Sequence, residues 1–239
     1  HSYVDTNVVG FLNLLTASKA NKVDRFIQIS TSEVYGVSKK YPITEDQPVV
    51  ANSPYAASKI AAEQLCLSFF KSYNFPSVVL RPFNAYGPRQ SGRAIIPTII
   101  SQITSGKKTI SLGNINTTRD FNYVGDIVNG IVKSIDAKKI EGEIINIGSG
   151  HEVSIKELVK EISNKLNKKI KIKVENKRKR PDKSEVKRLL ASNKKAKHLL
   201  KWSPEYFNRQ GLRRGLEKTL IWYLEEKNKK FIKENIYNI

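Results

Sequence analysis

Two short apolar runs, Arg25-Phe26-Ile27-Gln28-Ile29-Ser30 and Ser77-Val78-Val79-Leu80-Arg81-Pro82, stand on either side of an alanine-rich stretch that opens with Ser53-Pro54. Each run has the look of a buried strand. Ser53 suits a helix N-cap and Pro54 the first turn, so a helix is predicted from there through about Ser72. Strand, helix, strand is a βαβ unit, which commits the chain to a parallel sheet with helical crossovers. In open sheets of this kind ligands bind beyond the carboxyl ends of the strands. The polar trio Thr31-Ser32-Glu33, which follows the first run directly, therefore falls where chemistry is expected.

Tyr55 and Lys59 lie one turn apart on the predicted helix, so their phenol and ammonium share a face. A phenol with an ordinary pKa of about 10 is a poor base at neutral pH, and a fixed ammonium beside it favours the phenolate. The pair predicts a proton acceptor for a substrate alcohol, with the Tyr55 pKa lowered by Lys59. Taken alone, Tyr-x-x-x-Lys describes many surface helices equally well. Its weight comes from the polar trio at the strand end upstream.

Further motifs stand in order around this unit: Asp5-Thr6-Asn7-Val8-Val9-Gly10, Thr31 through Gly36, Arg81-Pro82-Phe83-Asn84-Ala85-Tyr86-Gly87-Pro88-Arg89, Arg119-Asp120-Phe121-Asn122-Tyr123-Val124, and Asn146-Ile147-Gly148-Ser149-Gly150. The series resembles the extended short-chain dehydrogenase/reductase family, and within it the enzymes that remodel sugar nucleotides. The likeness runs from residue 1 to about Trp222. It implies an α/β fold, the C-terminal part of a Rossmann-like doubly wound parallel sheet with a smaller interleaved α/β substrate domain. It also implies NAD as cofactor and a UDP- or GDP-linked sugar as substrate.

By the same resemblance Tyr55 is the base, Lys59 holds the nicotinamide ribose, and Thr31 hydrogen-bonds the sugar hydroxyl being oxidised. Thr6 matches a position that contacts NAD, and Phe83 and Ala85 flank the nicotinamide side. Arg119 and Arg180 match positions that clamp the substrate diphosphate, a task suited to the planar guanidinium fork. An ion pair of Arg119 with Asp120 or Asp126 is the structural alternative. Asn84 matches a substrate-bonding position, and Arg89 is assigned to the substrate as well, with a role in the fold or a dimer as its alternative.

Within the resemblance Glu33 bears on which reaction follows, although the same Thr-Ser-Glu trio also occurs in UDP-glucuronate decarboxylases and does not select dehydration by itself. A carboxylate beside C5 of a 4-keto sugar can remove the C5 proton that the ketone acidifies, and 4,6-dehydratases carry Glu at this position. They usually precede it with an Asp that protonates the departing C6 hydroxyl, where this chain has Ser32. Serine is too weakly acidic to replace Asp directly, which leaves a water or a double role for Glu33. The runs Arg81 through Ser91, Leu112-Gly113-Asn114 and Arg180-Pro181-Asp182-Lys183-Ser184-Glu185-Val186 look most like the dehydratases of the legionaminic-acid pathway, which act on a nucleotide-linked N-acetylglucosamine. The expected reaction is 4,6-dehydration to a 4-keto-6-deoxy sugar nucleotide. A 4-epimerase, a UDP-glucuronate decarboxylase and a non-catalytic sugar-nucleotide or nucleic-acid binder are the alternatives.

Composition narrows the classes further. The 239 residues carry a formal charge of +20, much of it in Lys168-Lys169-Ile170-Lys171-Ile172-Lys173-Val174 and Lys177-Arg178-Lys179-Arg180. Such a balance is compatible with nucleic acid, yet the first stretch alternates as a strand with its Ile/Val face inward and its lysines in water. No zinc-ligand spacing or RNA-binding aromatic signature accompanies it, so no nucleic-acid partner and no metal are expected. No apolar stretch long enough to span a membrane and no signal peptide are present, which predicts a soluble cytoplasmic protein without a membrane partner. The single Cys66 reads as a small buried hydrophobe.

The chain begins with His1, lacks methionine and has no G-x-x-G-x-x-G run. Roughly three βα units of the family pattern, at about 30 residues each, are expected upstream. On that expectation the fragment does not hold a dinucleotide by itself. Residues 1–87 and 121–150 are assigned to the NAD-binding domain, and 88–120 and 151–239 to the substrate domain. Helices are expected over residues 3–20, 93–105 with an early interruption at Pro97, 123–136, 154–167, 193–200 and 212–226. A homodimer through the Tyr55 helix and its neighbour is carried over from the resemblance.

Overall fold

The computed structural model of the chain describes residues 1–179, 181 and 184–231. The chain opens with a short helix α1 (Ser2–Val4), which winds through a π-helical stretch at Asp5–Gly10 into α2 (Phe11–Ala20). The βαβ unit follows as expected. Strand β1 (Phe26–Ile29) crosses through α3 (Pro54–Tyr73) to β2 (Ser77–Pro82), parallel to it, and β7 (Ile144–Ile147) joins on the far side of β2. Ser53 caps α3 by accepting from Ala56 N at 3.1 Å, with Pro54 in the first turn.

Strand alternation gives this sheet two unlike faces. Ile27, Val78, Leu80, Ile145 and Ile147 point to one side, where α5 (Val124–Asp136) and α7 (Lys194–Leu200) close an apolar core around Ile127, Leu200 and Trp202. The other face presents Gln28, Ser30, Ser77, Arg81 and Asn146 to the α3 side. All five are buried. Both amide atoms of Gln28, Ser30 Oγ and Arg81 Nη1 have no hydrogen-bond partner among the described residues.

A second core lies to the side of the sheet. It packs α4 (Ile95–Thr104), α6 (Ile155–Lys165) and α8 (Asn208–Leu224) around β4 (Thr109–Leu112), with Ile99, Ile103, Ile110, Leu158, Ile162 and Leu216 at its centre. Pro97 does not interrupt α4. The helix starts at Ile95, which places the proline in the first turn, where its missing N–H breaks no helical hydrogen bond. Ser154 and Glu157 form a reciprocal capping box at the start of α6. The α8 helix begins a turn earlier than expected because the Asn208 side chain accepts from Gln210 N at 2.8 Å and Gly211 N at 3.1 Å. Strand β9 (Lys171–Val174) pairs with β4, its lysines in water as expected; Ile172 and the preceding Ile170 pack on the core, while Val174 is 43 % exposed.

Between the two cores, β3 (Ala85–Tyr86) pairs with β6 (Asn122–Tyr123), and β5 (Thr118–Asp120) lies between β8 (Glu152–Ser154) and β10 (Arg188–Leu189). Asp120 is fully buried and accepts from Ser149 N, Gly150 N, Ala191 N and the Asn122 amide at 3.0 to 3.1 Å, tying three separate segments together. Cys66 is buried as expected, and burial pushes its thiol up to about 11. Among the described residues no helix is long and apolar enough to cross a membrane.

Candidate active site

Directly after β1, Thr31 adopts an extended backbone and caps a 3₁₀ turn at Ser32–Tyr35, its hydroxyl accepting from Glu33 N at 3.2 Å. Val34 and Tyr35 anchor the turn in the core, which leaves Glu33 half-buried at the surface. Gly36 ends it at φ +56°, where a Cβ would stand 2.3 Å from the Val50 carbonyl oxygen, so only glycine fits. Ser32, placed in the catalytic trio by resemblance, is only 3 % exposed.

Tyr55 sits in the first turn of α3, its ring edge-on to Tyr3 at 5.7 Å. Burial pushes its pKa up, the nearby Glu33 carboxylate pushes it further, and a hydrogen bond with the Thr31 hydroxyl pulls it down. This reverses the expected lowering by Lys59. The Lys59 ammonium is committed elsewhere, donating to the Ile29 carbonyl at 2.7 Å, and burial holds its own pKa down. Asn7 donates to Ser58 Oγ at 3.0 Å and so fixes the N-terminal helix against α3.

A cleft of about 930 Å³ is lined among others by Glu33, Tyr55, Ser91, Arg93, Ser184 and Val186, whereas Thr31, Ser32 and Lys59 are not among its lining residues. A smaller cleft of about 180 Å³ is lined by Asn84, Asn114, Arg119, Arg178 and Glu185. Residues 184–186 border both, with Ser184 and Val186 on one side and Glu185 on the other. Arg119 lies 3.6 Å from the Glu185 carboxylate. The expected alternative partners are engaged by the main chain: Asp120 accepts main-chain N–H groups, as does Asp126, from Glu205 and Tyr206 at 2.9 Å. In the smaller cleft Asn84 Oδ1 is a buried acceptor with no partner among the described residues.

Not every expected residue converges here. Phe83 is 1 % exposed, and its ring packs on Tyr35 at 6.3 Å in a core with Val34 and Ile43, so its side chain cannot flank a ligand. Ala85 is exposed beside it. Thr6 is exposed on the π-helical stretch, and Arg89 occupies an exposed turn at φ +64°; neither lines either cleft. Arg180 lies outside the described residues. Conversely, Arg93 and Arg178 line the clefts without having been singled out. Arg178 stands inside a lysine-rich run that reads as a solvated face, and Arg93 lies just beyond the recognisable motif ending at Arg89.

The residues present suit one end of a dinucleotide. Tyr55 and Lys59 stand at the carboxyl end of β1 next to Ile29, which is 40 % exposed; a phenol, a cation and an apolar edge together fit a nicotinamide riboside. The dinucleotide's phosphates call for a Gly-rich cradle at a helix N-terminus, and no such run occurs in the sequence. Among the described residues no cluster of His, Cys, Asp or Glu could hold a metal ion.

Comparison with known proteins places the chain among sugar-nucleotide enzymes. A family described as GDP-mannose 4,6 dehydratase matches residues 1–215. The dTDP-D-glucose 4,6-dehydratase of Homo sapiens is 38 % identical over 156 residues, 65 % of this chain and 44 % of the human protein. The UDP-glucuronate 4-epimerase of Thermodesulfobacterium geofontis is 35 % identical over 225 residues, covering 93 % of this chain and 66 % of that protein. Among solved structures, dTDP-glucose 4,6-dehydratase from Bacillus anthracis in complex with NAD superimposes with a TM-score of 0.84 at 33 % identity, over 96 % of this chain and 71 % of that one. The chain thus spans about half the length of the curated dehydratases it matches, 44 % in the human case.

Proposed function

The chain belongs to the GDP-mannose 4,6-dehydratase family of short-chain dehydrogenase/reductase sugar-nucleotide enzymes, and from that premise we propose that it serves the NAD-dependent 4,6-dehydration of a nucleotide-linked N-acetylglucosamine. The observation that carries the reading is the presence of Tyr55 and Glu33 in one cleft and of Arg119 and Asn84 in a second, with residues 184–186 contributing to the lining of both. A base pair of residues at one end and a phosphate-matching guanidinium at the other suit a sugar diphosphate lying across both. The choice of N-acetylglucosamine, UDP- or GDP-linked as in the legionaminic-acid pathway, rests on the resemblance of residues 81–91, 112–114 and 180–186.

Bound NAD would supply the hydride acceptor and donor, with Lys59 and Tyr55 at its nicotinamide ribose. Tyr55 takes the proton of the C4 hydroxyl, which the Thr31 hydroxyl orients. Once C4 is a ketone, Glu33 removes the acidified C5 proton. With Ser32 buried, Glu33 itself passes that proton to the departing C6 hydroxyl, which leaves as water. Two protons are taken, by Tyr55 from the C4 hydroxyl and by Glu33 from C5, and two are returned, that of Glu33 in the water and that of Tyr55 at C5 of the product; the hydride lost from C4 to bound NAD would return to C6, so the net change is loss of one water. Arg119, held by Glu185, and Asn84 bind the diphosphate side, with Arg178 and Arg93 as further cations along the path.

In this reading residues 1–87 and 121–150 form the cofactor side and 88–120 with 151–239 the substrate side, although the cores cross these bounds: Ala196, Leu200 and Trp202 pack on the cofactor-side sheet, and Tyr86 and Phe121 in the core around α4. A homodimer through α3 and α2 is proposed with it, since Leu14 and Tyr73 are more than half exposed there. A 4-epimerase is the second reading, favoured by the likeness to the Thermodesulfobacterium epimerase over 93 % of the chain. Incubating the protein in its natural full length with NAD and UDP- or GDP-N-acetylglucosamine separates them. The expected product is lighter by one water; an unchanged mass with inverted C4 establishes the epimerase instead.

A further inference from the structure

The Tyr55 helix and the Glu33 turn come from different parts of the chain, yet the chemistry proposed above needs them in fixed register. Arg81 stands between them. It leaves the carboxyl end of β2 and is 2 % exposed. Its Nε and Nη2 donate to the two oxygens of Glu63 at 2.9 and 2.6 Å. Glu63 is itself fully buried and lies on α3, one turn beyond Lys59 and two beyond Tyr55. On its other side the guanidinium lies over the Tyr35 ring, 4.7 Å from the centroid. Tyr35 is the last residue of the 3₁₀ turn that carries Glu33, and its hydroxyl donates to Asn146 Oδ1 on β7 at 2.7 Å.

We infer that Arg81 is a positioning residue that sets the distance between the Glu33 turn and the Tyr55 helix, gripping α3 through Glu63 and the turn through Tyr35. The inference rests on the roles proposed above for Tyr55 and Glu33. Stability is a poor reason for such a pair, because two desolvated charges cost about what they return and an apolar pair of similar volume often holds two layers as well. What an apolar pair lacks is direction. A planar fork with two bonds on one side and a ring on its face fixes both distance and angle.

The test replaces both partners at once, Glu63→Met with Arg81→Met, which leaves no buried charge unpaired. Two measurements follow on the full-length protein. Amide hydrogen exchange without substrate compares residues 32–36 with α6 as an internal reference. With NAD and the nucleotide sugar, C4 oxidation and loss of water are followed separately. The joint predicts a folded protein whose exchange rises over residues 32–36 alone, and whose ratio of dehydration to oxidation falls on the order of a hundredfold, the scale of an ångström of misplacement. Unchanged exchange over 32–36, or both steps falling together at an unchanged ratio, overturns it. Should the double variant not fold, Glu63→Asp keeps both charges and shortens one arm; the same ratio must then fall, and an unchanged ratio overturns the inference. If the unaltered protein forms no dehydrated product, the functional reading fails, and the exchange measurement alone decides the joint.

Discussion

The cleft at Tyr55 and the cleft at Arg119 differ in how their functional groups are supplied. In the first the proposed reacting groups come from one turn, with Thr31 and Glu33, and one helix, with Tyr55 and Lys59, although the walls at Tyr3, Ser91, Arg93, Ser184 and Val186 are drawn from elsewhere in the chain. The second draws its polar groups from three separate stretches, with Asn84 from one, Asn114 and Arg119 from another, and Arg178 and Glu185 from a third. Local construction gives precision to reacting groups, whose errors are costly in rate. Assembly from several segments gives a grip with adjustable parts, suited to a diphosphate and base that only need to be held.

If the division is real, rate and affinity should separate. Tyr55→Phe removes the proton acceptor and is expected to slow C4 oxidation by about 10²- to 10⁴-fold with nucleotide-sugar affinity unchanged, measured by stopped-flow at the nicotinamide band and by calorimetry. A parallel loss of affinity would erase the distinction. Glu33→Gln should stop dehydration while part of the oxidation survives, seen as a reduced nicotinamide that persists; full turnover removes Glu33 from the scheme.

Arg119→Ala tests the other cleft. Hydrogen bonds to charged groups contribute roughly 1.5–3 kcal/mol, so affinity should fall about ten- to a hundredfold while the bound rate changes little. Arg119→Lys should recover only part of it, since an ammonium cannot bind in a fork. A collapse of the rate in either variant would place Arg119 among the reacting groups.

A finer probe is pH. Tyr55 accepts a proton only when ionised, and burial with the Glu33 charge raises its pKa, so oxidation should climb with pH through the Tyr55 titration. Glu33→Gln removes a negative neighbour and should move that limb to lower pH, whereas Thr31→Val removes the stabilising hydrogen bond and should move it higher. Shifts of the same sign in both variants contradict the assignment. The smallest effect is expected at the surface: Lys171→Gln with Lys173→Gln should alter stability by no more than about 0.5 kcal/mol each and leave substrate affinity intact. A large affinity loss would mean that the anchoring cleft draws on general charge as well as on Arg119.

Much of the locally built cleft was legible in the residue string for the reason that makes it local. A cap, a proline and a four-residue spacing dictate where Ser53, Tyr55 and Lys59 stand, and apolar runs dictate β1 and β2. What failed concerned partners supplied from a distance. The Lys59 ammonium was expected beside the phenol and is instead bonded to a carbonyl thirty residues earlier, and Ser32 and Phe83 belong to a family motif but are consumed by packing. Arg178 was hidden because a lysine-rich run looks solvated throughout, while one member turns inward against Glu175 at 2.9 Å. Pro97 misled through a helix boundary, since two residues decide whether a proline breaks a helix or opens it.

The sheet face of Gln28, Ser30, Ser77, Arg81 and Asn146 has a thermal consequence. Unfolding exposes polar surface there, which lowers the heat capacity of the unfolded chain, whereas the isoleucine-rich core around α4 exposes apolar surface, which raises it. Hydrophobic stabilisation fades on cooling, so the α4 core, although the greasier of the two, is the part of the molecule that should loosen first in the cold.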